Sequence, residues 1–374
     1  IMPLASTRDR ITQIRWGLAD FEHRFGRKAE GMWLAETACN QAVVEDLINE
    51  GVRFIILAPS QAELIRAPKE PAWRDVSAGE IPCGRAYKIK GQNGELTVLF
   101  YHDGASQSVA FEHVLRNASF FADRIESAAR ESTPKDSPDD LLGILATDGE
   151  SYGHHDPMGD MCLAYLTTRE LPRRGIQLTN PGAWIAEHPP TWEVKLNPGE
   201  EGLGTAWSCA HGVGRWRKDC GCQTGGPPSW NQAWRKPLRQ TFDSLRERID
   251  PLFEQQGTTM LKNPWAARDD YIQVLLGKPV GATSSFFERH QKRELTDDER
   301  AQVFRMMEMQ LHGLLMYTSC AWFFSELSGI ETVQNLAYFA RSAQLGEVLA
   351  GHPVSPDALE KLKEARSNLS ELGN

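Results

Sequence analysis

Short apolar runs alternate with amphipathic helical periods over the first half of the chain. Four runs rich in β-branched and aromatic residues predict strands at 31–36, 53–59, 95–103 and 141–148. The segment between the first two has apolar positions at helical spacing and ends at Gly51, which predicts a helix and its stop. Strand, helix and strand in close succession are typical of βα units and a parallel sheet, so we expect an α/β fold.

Turn signals and a change of composition divide the chain. The Asn-Gly pair at 93–94 predicts a hairpin leading into the strand at 95–103, and the polar, proline-bearing segment 131–140 predicts a loop. Glycine, proline and tryptophan dominate from about 195 to 235, and long helical periods follow. We therefore predict two domains, an α/β domain over 1–195 and a Trp- and Cys-rich loop with a mainly helical domain over 196–374.

One long apolar stretch lies in the helical half, at 313–324. A membrane-spanning helix needs about 20 apolar residues, so this stretch predicts a buried core helix and no membrane partner. The first ten residues show no charged segment followed by an apolar one, so no signal peptide is expected there.

Charge and cysteine content narrow the class of protein. The 374 residues carry 41 basic and 50 acidic side chains, a net charge of -9, with both signs interspersed. No basic stripe is available for a phosphate backbone, so nucleic acid is not expected as a partner. Seven cysteines, an odd number in a long chain, favour reduced thiols and a cytoplasmic location. The oligomeric state is left open.

Acidic residues follow three of the predicted strands: Glu36, Asp103 and Asp148. In parallel α/β folds, chemistry gathers at the carboxyl ends of strands. Two facing carboxylates are what retaining glycoside cleavage needs, one as nucleophile and one as proton donor. Burial and neighbouring negative charge are expected to raise the pKa of Asp148. The alternative is that each of these acids caps the helix that follows it.

The residues around Asp148 suit a sugar site. Glu150, His154 and His155 follow it within a few positions and are expected to donate and accept hydrogen bonds with hydroxyl groups. Trp33, close to Glu36, offers a flat aromatic face to a pyranose ring.

Two motifs resemble those of the family 57 glycoside hydrolases: "GMWLAETA" around Glu36 and "ATDGESYGHH" around Asp148. The resemblance implies an incomplete (β/α)7 barrel, with Glu36 as the nucleophile and Asp148 as the acid/base. The segment "YHDGASQSVAF" is similar to a further barrel segment, which implies that Asp103 is a polar residue of the active site.

The second half of the chain also carries the resemblance. The stretches "WSCAHGVGRWRKDCGC", "KNPWAARDDYI" and "MYTSCAWFFSELSGIETVQ" are similar to those of a subgroup with an uncharacterised C-terminal helical domain. The His-Gln-Pro-like motif of the family's first strand is absent from this sequence. This departure implies that the barrel lacks its first strand or strands and is incomplete at its N-terminal end.

Tryptophans and metal-ligand residues cluster at 207–235. Trp207, Trp216, Trp230 and His211 could cover a sugar-binding cleft, or the tryptophans could pack one domain onto the other. Cys209, Cys220 and Cys222 lie beside His211 in the sequence and raise the possibility of a zinc site. Each pair is separated by only one residue, whereas zinc motifs usually leave two to four, so neither a metal nor any other cofactor is expected.

The function predicted from these features is a retaining glycosidase or transglycosylase that acts on oligo- or polysaccharides of α-glucan type by double displacement. One alternative is a carbohydrate-binding or regulatory protein on an enzyme-like scaffold. Another is a metal-dependent polysaccharide deacetylase, which the run "HHD" at 154–156 suggests. Nucleotide-dependent and serine-hydrolase functions are disfavoured, because the sequence has neither a glycine-rich phosphate loop nor a G-x-S-x-G motif.

Overall fold

The structure, a computed structural model, describes residues 1–132, 142–277 and 281–372. The chain forms two compact units. The sheet unit is Glu30–Trp207, and the helical unit is Ile1–Ala29 together with Ser208–Asn374. The sequence predicts a domain boundary at residue 195, whereas the sheet unit extends to Trp207. The first 29 residues belong to the helical unit rather than to the α/β part.

The strands are β1 (Gly31–Met32), β2 (Phe54–Leu57), β3 (Ala62–Arg66), β4 (Arg74–Asp75), β5 (Ala86–Lys90), β6 (Glu95–Phe100) and β7 (Trp192–Leu196). The helices are α1 (Thr7–Phe25), α2 (Gln41–Asn49), α3 (Asp103–Phe111), α4 (Ala118–Ser132), α5 (Gly159–Tyr165), α6 (Leu171–Arg173), α7 (Pro181–Glu187), α8 (Arg235–Met260), α9 (Pro264–Asp270), α10 (Ile272–Leu275), α11 (Ala282–His290), α12 (Asp297–Leu315), α13 (Cys320–Phe323), α14 (Ile330–Ala350) and α15 (Ala358–Leu362).

The sheet unit contains one seven-stranded sheet of order β1-β2-β6-β5-β7-β3-β4. β1, β2 and β6 are parallel, as the βα pattern predicts, whereas β5 is antiparallel to β6 and β3 is antiparallel to both β4 and β7. The sheet is thus mixed, and its pairings among the described residues run from β1 to β4 without closing into a barrel. The α/β class is confirmed.

Local signals account for several elements. The side chain of Asn40 accepts a hydrogen bond from the Val43 amide and so begins α2, which extends to Asn49 as predicted. β5 and β6 form the hairpin predicted from the Asn-Gly pair at 93–94. β6 is buried at most of its positions, as expected for a strand with neighbours on both sides.

Two predicted strands are shorter in the structure. β1 ends at Met32, because the chain turns at Glu36 and Thr37, both of which have positive φ. β6 ends at Phe100, because the His102 side chain accepts a hydrogen bond from the Ala105 amide and begins α3, so that Asp103 lies in a helix rather than in a strand.

The predicted strand at 141–148 is wrong over the described residues 142–148, which form no regular element. The Ile144 carbonyl accepts a hydrogen bond from the His102 amide, and the Ala146 amide donates to the Ser106 hydroxyl. The Ser106 side chain thus bonds a backbone amide that a neighbouring strand would bond in a sheet. The loop predicted at 131–140 begins with the end of α4 and otherwise lies outside the described residues.

In the helical unit, α8, α12 and α14 pack against one another. α12 begins with a reciprocal cap, in which Thr296 and Glu299 each accept a hydrogen bond from the other's backbone amide. The single core helix predicted at 313–324 is wrong, because α12 ends at Leu315 and α13 begins at Cys320. The buried side chain of Asn335 donates to the carbonyls of Met316 and Thr318, which satisfies acceptors freed by this break.

A buried ion network ties the first residues to the helical unit. Asp9 of α1 pairs with Arg268 of α9 at 2.7 Å and with Arg246 of α8 at 2.9 Å. Gln310 of α12 accepts hydrogen bonds from both guanidinium groups. Long-range charge pairing therefore explains why the N-terminal segment folds with residues more than 200 positions later. Among the described residues, no helix has the length and apolar character required to cross a membrane.

Candidate active site

Glu36 lies in a strained turn directly after β1. It has φ 60° within the 3-10 turn Ala35–Thr37, and Thr37 has φ 50°. Left-handed backbone is uncommon for residues other than glycine and costs free energy that the surrounding structure must offset. Such strain is often found where a side chain must be held in one direction for function.

Hydrogen bonds from distant parts of the sheet unit hold this turn. The indole Nε1 of Trp207 donates to Glu36 Oε2 at 3.0 Å, and the Trp207 amide donates to the Glu36 carbonyl at 3.1 Å. The buried Gln61 side chain accepts a hydrogen bond from the Thr37 hydroxyl at 2.7 Å and donates to the Thr37 and Thr205 carbonyls. Buried polar groups with this many partners define one backbone conformation.

Aromatic rings surround the Glu36 carboxylate. The Trp207 ring lies edge-to-face with Trp33, with ring centroids 5.2 Å apart, and with Tyr101 at 6.2 Å. Tyr101 is buried, whereas Trp33 is 46% exposed. The exposed indole provides an apolar face beside a carboxylate, the combination expected where a sugar ring binds.

Asp148 has extended backbone and directly precedes the 3-10 turn Gly149–Ser151. Partial burial raises the pKa of the Asp148 carboxyl above its usual value, and the negative charges of Glu150 and Glu36 raise it further. His155 acts in the opposite direction and lowers this pKa. Glu36 and Asp148 therefore interact electrostatically, although they belong to separate segments of the sheet unit.

The predicted partners of Asp148 form one exposed loop. The backbone amides of His154 and His155 both donate to the Glu150 carbonyl, and the two imidazole rings lie edge-to-face with centroids 4.9 Å apart. Glu150, His154 and His155 are all exposed. These side chains are available to a ligand and lie on the same short stretch as Asp148.

Asp103 is exposed in the first turn of α3, where its Oδ2 accepts a hydrogen bond from Gln107 at 2.8 Å. A carboxylate at this position stabilises the amino end of the helix. The cap of α3 is His102 rather than Asp103, and the solvent exposure of Asp103 leaves it accessible to a ligand.

The remaining predicted residues lie in the helical unit. Trp216 is 1% exposed, and its indole donates to the Ser319 carbonyl, so packing accounts for it. Trp230 is half-buried, and its carbonyl accepts a hydrogen bond from Gln223. His211 is exposed, with Nδ1 3.4 Å from Cys222 Sγ.

Residues 154–156 do not form a group of metal ligands. Asp156 is buried and instead pairs with His113 at 3.2 Å and Arg116 at 3.4 Å. The described residues contain one cluster of potential metal ligands, which lies in the helical unit and includes His211. The geometry therefore gives no support to a deacetylase site at the "HHD" run.

A cavity of about 820 Å³ opens elsewhere in the sheet unit. It is lined by residues of the segments 115–119 and 157–173, including Arg116, Met158 and Tyr165. None of the predicted site residues lines this cavity, so a search based on cavity size alone would not identify Glu36 and Asp148 as site residues.

Sequence reasoning missed Thr37, Gln61 and Tyr101. Each is buried and supports Glu36 or Trp207 from within the sheet unit. A polar residue such as Gln61 in the short turn between two strands is a weak signal, because its partners at Thr37 and Thr205 are defined only by the fold.

Matches to two family models and to three solved structures bear on these features. The model of glycosyl hydrolase family 57 matches residues 1–197, and that of a domain of unknown function, DUF3536, matches residues 230–374. An exo-type maltose-forming amylase from a Pyrococcus species has a TM-score of 0.68 at 14% identity, covering 97% of this chain and 63% of its own. A family 57 branching enzyme from Thermococcus kodakaraensis has a TM-score of 0.57 at 15% identity, covering 99% of this chain and 66% of its own.

A further similar structure is an α-amylase from Thermotoga maritima, with a TM-score of 0.55 at 13% identity, covering 96% of this chain and 70% of its own. At these identities the similarity concerns the fold, and the chain spans less than two-thirds of the length of the Pyrococcus and Thermococcus enzymes. A search of curated proteins gives no significant match. The resemblance predicted from the motifs at Glu36 and Asp148, and from the C-terminal stretches, is confirmed, and the chain belongs to glycosyl hydrolase family 57.

Proposed function

We propose that this chain acts as a retaining glycoside hydrolase or transglycosylase on α-glucans or related α-glycosides. The observation that carries the proposal is the electrostatic interaction of Glu36 with Asp148, which contributes to the raised pKa of Asp148. A proton donor and an ionised nucleophile are the two groups that double displacement needs, and a raised pKa keeps one carboxyl protonated. The amylase and branching-enzyme activities named for proteins of similar fold support the choice of α-glucans.

In this mechanism Glu36 attacks the anomeric carbon while Asp148 transfers its proton to the glycosidic oxygen that leaves. The product of this step is a glycosyl ester on Glu36. Asp148, now ionised, then takes a proton from water or from an acceptor hydroxyl as that oxygen attacks the ester. Water gives hydrolysis and a sugar acceptor gives transfer.

The hydrogen bond from Trp207 is proposed to orient Glu36 for attack, and the left-handed turn holds the backbone at Glu36 in one conformation. The exposed side chains around the pair are proposed to contact the sugar. They are Trp33, Asp103, Glu150, His154 and His155, together with the half-buried Trp207. Trp216 is buried and is not part of the proposal.

We further propose that the sheet belongs to an incomplete (β/α)7 barrel, as in the family. The parallel order of β1, β2 and β6 supports this architecture, and proposed site residues follow β1 (Glu36) and β6 (Asp103). The seven cysteines, all in the described part of the chain, form no disulfide, which favours the proposed reducing, cytoplasmic environment.

The test uses the full chain with a panel of α-glucans and aryl α-glycosides, and compares Glu36→Gln and Asp148→Asn with the exposed control Asp75→Asn. We expect product release by the wild type and by the control, and loss of turnover in both site variants. A carbohydrate-binding protein would retain the glucan and release no product. Turnover that persists in Glu36→Gln would exclude Glu36 as the nucleophile.

A glycine at position 36 provides a sharper test of the nucleophile. Glycine adopts positive φ without strain, so Glu36→Gly is expected to fold. Azide should then enter the vacated space and restore cleavage of an aryl α-glycoside, with formation of a glycosyl azide of inverted configuration. A folded Glu36→Gly variant that azide does not rescue would argue against covalent catalysis by this residue.

A further inference from the structure

Four metal-ligand side chains converge in the loop that begins the second part of the helical unit. The ligand atoms of Cys209, His211, Cys220 and Cys222 all lie within 4.8 Å of one another. Cys209 Sγ is 3.8 Å from Cys222 Sγ and 4.0 Å from Cys220 Sγ, and His211 Nδ1 is 3.4 Å from Cys222 Sγ.

These separations match the edges of a zinc coordination tetrahedron. Zn–S bonds of about 2.3 Å and Zn–N bonds of about 2.0–2.1 Å place tetrahedral ligand atoms about 3.8 Å apart for two sulfurs and about 3.6 Å apart for sulfur and nitrogen. We propose that Cys209, His211, Cys220 and Cys222 bind one Zn²⁺ ion. Four protein ligands leave no position for water, so the site is structural rather than catalytic.

The backbone explains how pairs separated by one residue reach a single ion. Gly221, between Cys220 and Cys222, has φ 78°, which turns the chain between the two thiols. Gly214 brings the two pairs together, since a Cβ there would lie 3.1 Å from the Cβ of Cys220 and 3.4 Å from the Cβ of His211. The spacing that argues against zinc in the sequence is therefore compensated by two glycines.

Charge complementarity supports the site. A zinc ion with three thiolates and a neutral imidazole carries one net negative charge. The fully buried guanidinium of Arg235 donates to the Cys222 carbonyl at 3.1 Å and lies 3.9 Å from Cys220 Sγ. A buried arginine requires a negative partner, and the anionic zinc centre supplies one.

The surrounding loop has little regular secondary structure. Between Ser208 and Trp234 the regular structure is a single 3-10 turn, Gly214–Trp216. Arg215 and Trp216 in this turn donate to the carbonyls of Phe323 and Ser319, in and next to α13. Zinc would fix the loop on both sides of these contacts, and its binding releases the three thiol protons.

Elemental analysis of the full chain, produced with added zinc and then dialysed, tests the proposal. We expect about one zinc per chain in the wild type and in Cys320→Ser, whose thiol is exposed and outside the cluster, and loss of zinc in Cys220→Ser and in Cys222→Ser. Wild-type protein without zinc, or full zinc content in both cluster variants, would overturn it.

A spectroscopic test on the wild type does not depend on the folding of variants. Co²⁺ in place of zinc should give the intense visible bands of tetrahedral cobalt together with thiolate-to-cobalt charge transfer, and added Zn²⁺ should remove both. A weak octahedral spectrum would overturn the proposal. So would an intact mass under non-reducing conditions that reveals a native Cys209–Cys220 disulfide.

Discussion

The indole of Trp207 donates a hydrogen bond to the Glu36 carboxylate at 3.0 Å, across 171 positions of sequence. Trp207 is the last residue of the sheet unit, and Glu36 follows its first strand. The two ends of this unit therefore meet at the carboxylate proposed as the nucleophile. The donor contacts one oxygen of this carboxylate, Oε2.

Replacement of Trp207 by phenylalanine tests this hydrogen bond. Trp207→Phe keeps an aromatic ring beside Trp33 and Tyr101 but removes the donor to Glu36. A hydrogen bond to a charged group contributes about 1.5–3 kcal/mol, so we expect kcat to fall about 10- to 100-fold, with a smaller change in KM. The control is Trp73→Phe, since Trp73 packs against Arg66 and Lys195 instead. An unchanged kcat in Trp207→Phe would mean that this bond does not orient the nucleophile.

Gln61 is expected to stabilise the turn at Glu36. Gln61→Met preserves the length of this 1% exposed side chain but removes its hydrogen bonds to the Thr37 hydroxyl and to three backbone groups. We expect the free energy of unfolding to fall by about 2–3 kcal/mol in urea denaturation. Gln41→Met, at an exposed position of α2, is the matched control and should change stability little. Equal stability of both variants would contradict the role of the Gln61 network.

The charges around Asp148 predict opposite shifts of its titration. If Asp148 is the proton donor, activity falls as pH rises through its pKa. Glu150→Gln removes a charge that raises this pKa, so the basic limb of the kcat/KM profile should move to lower pH. His155→Gln removes a charge that lowers it, so the limb should move to higher pH. Shifts of both variants in the same direction would contradict the assignment of this limb to Asp148.

The interaction between the two proposed catalytic carboxylates can be measured without turnover. Glu36→Gln removes a negative charge that raises the pKa of Asp148, so this pKa should fall in the variant. Carboxyl NMR titration of selectively labelled protein, with Asp148→Asn to assign the resonance, provides the measurement. A pKa of Asp148 that is the same with and without the Glu36 charge would separate the two residues into different sites.

Asp9 is predicted to be essential for the stability of the helical unit. Asp9→Asn leaves the buried guanidinium groups of Arg246 and Arg268 without their shared counter-ion. Loss of one partner of a buried ion pair costs about 3–5 kcal/mol, which urea denaturation would detect. Asp20→Asn removes an exposed pair with Arg24 on the same helix and should have a small effect. A loss of stability no larger in Asp9→Asn than in Asp20→Asn would exclude the network as a major contribution.

Local patterns were sufficient for elements whose signals lie within a few residues. The helix at 41–49, the hairpin at the Asn-Gly pair and the α/β class depend on side-chain periodicity, a cap and a turn. The family motifs around Glu36 and Asp148 are equally local, since each is one short run of residues.

The strand predicted at 141–148 marks the limit of such patterns. Its aliphatic residues satisfy the criterion for a strand, but the described residues 142–148 join no strand ladder, and Ser106 bonds to Ala146 instead. The apolar stretch at 313–324 is broken for a related reason, because Asn335 of another helix satisfies the carbonyls at the break.

The sequence by itself determined the family, the α/β class and the two acidic motifs, because these depend on residue type and short spacing. Only the tertiary structure decided that residues 1–29 join the helical unit, that Trp207 and Gln61 hold the turn at Glu36, and that Cys209, His211, Cys220 and Cys222 converge. These relationships arise from closing long loops and from pairing buried charges and hydrogen-bonding groups, and no local pattern encodes which distant partner each group will find.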